Sequence, residues 1–144
     1  MEFNELKQGV LRRAKNANAC SGEYKRAYKA ETKKDLLQVI VDNLVWCFKR
    51  EMLNTQYLID NFSELFIDFG IYTSGHHELK NCGAILLGSS SATIETWDSS
   101  SATIETWDSS SATYELIGDY STIKDLNRLK LFIKKSKFEI VEVE

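Results

Sequence analysis

Ser89-Ser90-Ser91-Ala92-Thr93-Ile94-Glu95-Thr96-Trp97-Asp98 is followed without a break by an identical decapeptide, Ser99 to Asp108, and Ser109-Ser110-Ser111-Ala112-Thr113-Tyr114-Glu115 opens a third copy that then diverges. A ten-residue period is too short to enclose a core, so each copy supplies one strand and one turn to something built by stacking or pairing neighbours. Strand side chains alternate, which puts Ala92, Ile94 and Thr96 on one side and Thr93, Glu95 and Trp97 on the other. Asp98-Ser99-Ser100-Ser101 then forms the turn, with short polar side chains that bond the local backbone.

Downstream the period loosens but persists through Ala112 to Ile117, Ser121 to Leu126, Leu129 to Ile133 and Phe138 to Val143, so the region reads as about six short strands. Upstream, Ile71-Tyr72, Gly75-His76-His77-Glu78 and Ala84 to Leu87 read as further short strands with polar turns. Two packings compete. In a β-solenoid, residues twenty apart stack, setting Ile94 on Tyr114 and Ala92 on Ala112, with Glu95 near Glu115. In an antiparallel β-meander, a three-residue loop pairs Ile94 with Ile104, but that loop favours glycine where the chain has Ser100. The solenoid is the expected arrangement.

The N-terminal part has helical periodicity. Phe3, Leu6, Val10 and Ala14 recur at three- and four-residue steps, predicting a helix to about Ala19, and Glu23 to Ala30 carries a shorter pattern. Thr32-Lys33-Lys34-Asp35 reads as a capping box with Asp in place of Glu. It precedes Leu36, Leu37, Ile40, Val41, Leu44, Val45 and Phe48, predicting one helix over about 33–51. Asn54 caps a further helix to Asn61, and the run 63–69 fits helix and strand equally.

The 144 residues fit one domain or two small ones, and 43% apolar residues with 7 Phe, 6 Tyr and 3 Trp suffice for a core. A net charge of −3 gives no global reason to expect nucleic-acid or lipid binding. Charge is nevertheless segregated. Nine of the 18 basic residues fall between Lys7 and Lys34, and none lies between Lys80 and Lys124. No apolar run approaches a membrane span, and Met1-Glu2-Phe3-Asn4-Glu5 lacks the features of a signal peptide, so the expected location is cytoplasmic. Cys20, Cys47 and Cys82 are odd in number and widely spaced, indicating reduced thiols rather than a disulfide framework or thiolate metal site.

Cys20-Ser21-Gly22-Glu23-Tyr24 with Leu36 to Cys47, then Phe62, the Gly70-Ile71-Tyr72 turn and the serine-rich decapeptides, resembles a loosely defined group of bacterial and phage-encoded proteins of unassigned function. These join a small helical head to short Ser/Thr-rich repeats taken to form a β-solenoid. The resemblance implies a modular repeat protein of mobile-element origin and no particular activity.

His76-His77-Glu78 is the one place where imidazoles and a carboxylate crowd together, but neighbours on an extended segment point in opposite directions, and a solvated turn is the expectation. Cys47, between Trp46 and Phe48, reads as core; Cys20, at a helix end, is the more reactive thiol but lacks a partner histidine. Glu95, Glu105 and Glu115 repeat at a fixed step. Identical repeats imply like environments, so they read as a solvated acidic surface rather than catalytic carboxylates. Trp97 and Trp107, if outward, form an aromatic ladder edged by Asp98 and Asp108.

The resulting expectation is an α+β protein, a helical head over residues 1–68 packed on a short β-solenoid-like segment over 69–144. It is expected to be a non-enzymatic, cofactor-free protein-interaction module. Its binding residues are Trp97, Trp107, Glu95, Glu105, Asp98 and Asp108, with a protein partner and self-association as the candidate interactions. The alternatives are a small metal-dependent hydrolase at the His76/His77 turn and a nucleic-acid-binding protein acting through the basic helices.

Overall fold

The computed structural model describes residues 2–97, 101–117, 122–126, 130–136 and 139–143. The chain is α+β, and it divides into two compact units, Met1–Leu65 and Phe66–Glu144.

The first unit is helical: α1 (Phe3–Asn16), α2 (Ser21–Lys29), α3 (Lys33–Asp42), α4 (Leu44–Lys49) and α5 (Thr55–Phe62), followed by one 3₁₀ turn. α1 buries Leu6, Val10 and Ala14 of the stripe that its spacing predicts, and Leu11 with them, while Phe3 is only partly buried. It ends where Asn18 enters the left-handed region at φ 61°, a conformation asparagine tolerates. The N–H groups of Asn18 and Ala19 then bond back to Lys15 (3.1 Å) and Ala14 (3.0 Å), satisfying the last carbonyls in a Schellman motif. Glu51 closes α4 in the same way, at φ 55°.

α3 begins with the capping box read from Thr32 and Asp35: the Asp35 N–H donates to Thr32 Oγ1 at 3.1 Å, and the Thr32 N–H donates to the Asp35 carboxylate at 3.0 Å. The single helix expected over 33–51 is two helices, broken at Asn43. Its side-chain amide donates to Val39 O (2.9 Å) and to Glu23 Oε2 (2.8 Å), and its backbone leaves the helical region at φ −121°. Asparagine competes with the helix for backbone partners, which apolar periodicity does not register.

The second unit starts with a four-residue helix, α6 (Phe66–Phe69), which resolves the ambiguous run as helix. Nine strands follow: β1 (Ile71–Tyr72), β2 (His76–Lys80), β3 (Ala84–Leu86), β4 (Ser91–Trp97), β5 (Ser101–Thr106), β6 (Ser111–Ile117), β7 (Thr122–Asp125), β8 (Lys130–Ser136) and β9 (Glu139–Val143). Up to β7 they alternate between two sheets, ordered β1-β3-β5-β7-β8-β9 and β2-β4-β6, and β8 and β9 extend the first. The pairs β1–β3, β3–β5, β5–β7, β2–β4 and β4–β6 are all parallel.

The register follows a twenty-residue step: Ala92 pairs with Ala112, Ile94 with Tyr114 and Glu95 with Glu115 in one sheet, and Ala84 with Ile104 in the other. The meander's pairing of Ile94 with Ile104 does not occur. The chain turns antiparallel only at its end, in β7–β8 and β8–β9.

Between the sheets lies a narrow core of Ala84, Leu86, Ala92, Ile94, Ala102, Ile104 and Ile123, with Tyr72, Leu79, Ala112 and Tyr114 packed against it. Small and branched side chains fit because strands of one sheet face those of the other at close range. The serine-rich turns contribute too. Ser90 Oγ donates to Leu87 O at 2.7 Å and Ser110 Oγ to Leu86 O at 3.0 Å, so the middle serine of each of these triplets is buried and closes a corner. Gly88, at φ 58°, also lies at a corner; a Cβ there would come within 2.6 Å of Thr73 O.

Candidate functional site

The two identical decapeptides fall on different sheets. β4 carries Glu95 and Trp97; β5 carries Glu105 and leads to Trp107. The inward residues behave alike, with Ile94 and Ile104 both buried. The outward residues do not.

On the β2-β4-β6 sheet, the outward face carries His76, Glu78 and Lys80 from β2, Ser91, Thr93, Glu95 and Trp97 from β4, and Ser111, Thr113 and Glu115 from β6. The ring nitrogens of His76 lie 2.8 Å from Ser91 Oγ and 3.2 Å from Glu78 Oε1. Lys80 Nζ sits 3.8 Å from Glu95. Trp97, 41% exposed, is one of three exposed large apolar side chains among the described residues, and its indole N–H donates to Glu95 Oε2 at 3.1 Å. The row Lys80–Glu95–Glu115 places one cation beside two carboxylates, the second pair being like charges directly opposite each other, an unfavourable arrangement.

On the other sheet, Ile71, Ile85 and Glu105 form one row on the side away from the inter-sheet core, and all three are buried. Glu105 is only 7% exposed. Burial pushes its carboxyl up to about 7; the Trp107 indole N–H, 3.4 Å away, opposes the rise and the charge of Asp125 adds to it. Asp125 is itself buried and accepts from Thr106 Oγ1 at 2.6 Å.

These placements correct the sequence-based site. Glu95, Trp97, Glu105 and Trp107 do not share a face, so no Trp97/Trp107 ladder exists, and Glu105 is not part of a solvated acidic surface. Equal sequences occupy unequal positions because consecutive strands of the stack enter alternate sheets. Asp108 is a turn residue: at φ 55° its carboxylate accepts from the Gly88 N–H at 2.9 Å, tying one turn to the next. Asp98 lies outside the described residues.

His76 and His77 diverge as the extended backbone requires, but they form part of β2 rather than a turn. His76 faces outward, while His77 stacks on Tyr72 with ring centroids 4.1 Å apart and places Nε2 2.8 Å from Ser74 O. No group of three or more His, Cys, Asp or Glu able to hold a metal occurs among the described residues. Cys47 is buried and its thiol pushed up to about 11 by burial, while Cys20 and Cys82 are exposed. No helix of the described residues is long and apolar enough to cross a membrane.

Comparison of the chain with protein-family models, with characterised proteins and with solved structures found no match.

Proposed function

We propose that the second unit is a short β-solenoid whose outward β2-β4-β6 face binds a basic, extended protein segment, making the protein an interaction module rather than an enzyme. The parallel ladders at a twenty-residue step in both sheets support the solenoid reading. The binding reading is carried by Trp97: a large, partly exposed indole beside the polar side chains His76, Thr93, Glu95 and Glu115 of this face, its N–H held by Glu95, and of the kind that receives a cation on its ring. Glu95 opposite Glu115 sharpens the partner's chemistry, because a lysine or arginine placed between them removes their mutual repulsion.

The test is the affinity of fluorescent oligo-arginine and oligo-glutamate peptides for the full chain. The oligo-arginine peptide is expected to bind and to weaken as salt rises. Trp97→Ser and Glu115→Gln are expected to cut its affinity by about tenfold, on the scale of an interface hot spot, and Trp107→Ser to leave it unchanged. Equal loss from Trp107→Ser, or no preference for the basic peptide, contradicts the reading.

A further inference from the structure

The helical unit contains a pocket of about 270 Å³, and every side chain lining it comes from residues between Val10 and Met52. Its walls are apolar: Val10 and Ala14 of α1, Ala27 of α2, Val39 and Ile40 of α3, with Met52 closing one side. Polar character is confined to a few groups. Glu23 and Asn43 both line it and are bonded to each other at 2.8 Å. Tyr24 and Trp46 add aromatic surface, and the exposed thiol of Cys20 borders the space while the buried Cys47 lines its interior.

An apolar concavity with a small convergent polar cluster is the usual form of a small-molecule site. A sealed apolar cavity of about 150 Å³ takes up a single benzene ring, so this one has room for a fused or linked pair of rings. The charge of the lining narrows the choice. Glu23 is its one acidic side chain, and its partly exposed carboxylate at the pocket accepts from Arg26 and Asn43, which fixes its position. An anionic ligand meets a carboxylate and an apolar wall there, with no cation lining the pocket to receive it. An amine N–H meets an acceptor.

We infer that this pocket binds a small aromatic or alicyclic amine, its ring system among Val10, Ala27 and Ile40 and its N–H directed at the Glu23/Asn43 pair. The site is independent of the strand face and of the function proposed for it. The asparagine that breaks the α3–α4 helix thereby acquires a second consequence, since the same side chain that interrupts the backbone anchors Glu23 at the pocket.

Two dyes with one skeleton test the inference on the full chain. N-phenyl-1-naphthylamine is neutral and carries an N–H; its 8-sulfonate derivative is the same molecule with an anion attached. The neutral dye is expected to bind saturably at one site per chain, with a blue-shifted emission, and at least about tenfold more tightly than the sulfonate. It is also expected to slow iodoacetamide alkylation of Cys20 in a Cys82→Ser background. Ala27→Leu and Ala14→Leu, which add bulk to the lining from α2 and α1, are each expected to cut the affinity by about tenfold or more while helical circular dichroism is retained. Should one of them lose its fold, the other and the alkylation assay decide. The inference is overturned by absence of saturable binding, by equal or tighter binding of the sulfonate, by a folded filling variant with unchanged affinity, or by unaltered Cys20 alkylation at saturating dye.

Discussion

Residues 89–98 and 99–108 have the same sequence and different physics. Their inner alanines and isoleucines, Ala92 with Ile94 and Ala102 with Ile104, occupy one shared core, whereas their outer side chains face away on opposite sheets. Glu95 is partly exposed beside Lys80, and Glu105 is buried beside Ile85 with a carboxyl near neutrality. Thr96 and Thr106 are both buried, but Thr106 Oγ1 donates to Asp125 while Thr96 Oγ1 has no hydrogen-bond partner among the described residues. In an alternating stack, a repeat specifies which side of a strand is inside; its outward environment is set by what lies beside its own sheet.

The largest effect expected is one that leaves the two copies equal. Ile94→Ala and Ile104→Ala each empty part of the inter-sheet core and are each expected to cost about 2–5 kcal/mol in denaturant unfolding, with similar values for the two. A cost confined to one of them breaks the shared-core half of the comparison.

Next comes the glutamate pair, where the copies separate. Folding raises the Glu105 carboxyl from its ordinary 4.5 to about 7, so between those pH values the folded chain holds a proton that the unfolded chain has released. The contribution of this group is fully present below pH 4.5 and is lost as pH rises through 7. Glu105→Gln is therefore expected to raise stability at pH 8 by up to about 3 kcal/mol and to change little at pH 4. Glu95→Gln, at a partly exposed position, is expected to stay within about 0.5 kcal/mol at both. Unfolding curves at the two pH values check this.

The threonine pair gives a smaller contrast of the same kind. Thr106→Val removes the bond to the buried Asp125 carboxylate and is expected to cost about 1–3 kcal/mol, while Thr96→Val removes an unpartnered buried hydroxyl and is expected to be neutral or stabilising by about 1 kcal/mol. Smallest is Trp97→Ser, expected to shift stability by no more than about 0.5 kcal/mol because the indole is exposed. Its effect belongs to binding.

Much of the fold was legible in the residues. Periodicity located α1, and the Thr32/Asp35 box located the start of α3, because both depend on local chemistry. The twenty-residue register was one of two packings the decapeptides allowed, favoured over the meander because the meander's loop wants glycine where the chain has Ser100. Three features were not legible. The break at Asn43 comes from a side chain that bonds Val39 O and Glu23, which apolar spacing does not register. The buried middle serines close corners whose geometry exists only once the stack is built. The inequality of Glu95 and Glu105 is a property of alternating sheets, invisible in a period of ten. The residues read together as one site are divided by the fold: Glu95 and Trp97 lie together, Glu105 and Trp107 elsewhere, and Asp108 serves a turn.

The central claim is the parallel step of twenty, and cysteine pairs sharing position 95 test it most directly. In a Cys20→Ser/Cys82→Ser background, Glu95→Cys with Glu115→Cys places two thiols on register partners of adjacent strands about 4.8 Å apart, within disulfide reach. Glu95→Cys with Thr103→Cys places them on opposite sheets, about 10 Å or more apart and facing away from each other. Under mild oxidation, peptide mapping is predicted to find the 95–115 disulfide in the first variant and free thiols in the second. A 95–103 disulfide, with 95 and 115 remaining reduced, would mean that successive decapeptides pair as a hairpin, and would contradict the parallel stack.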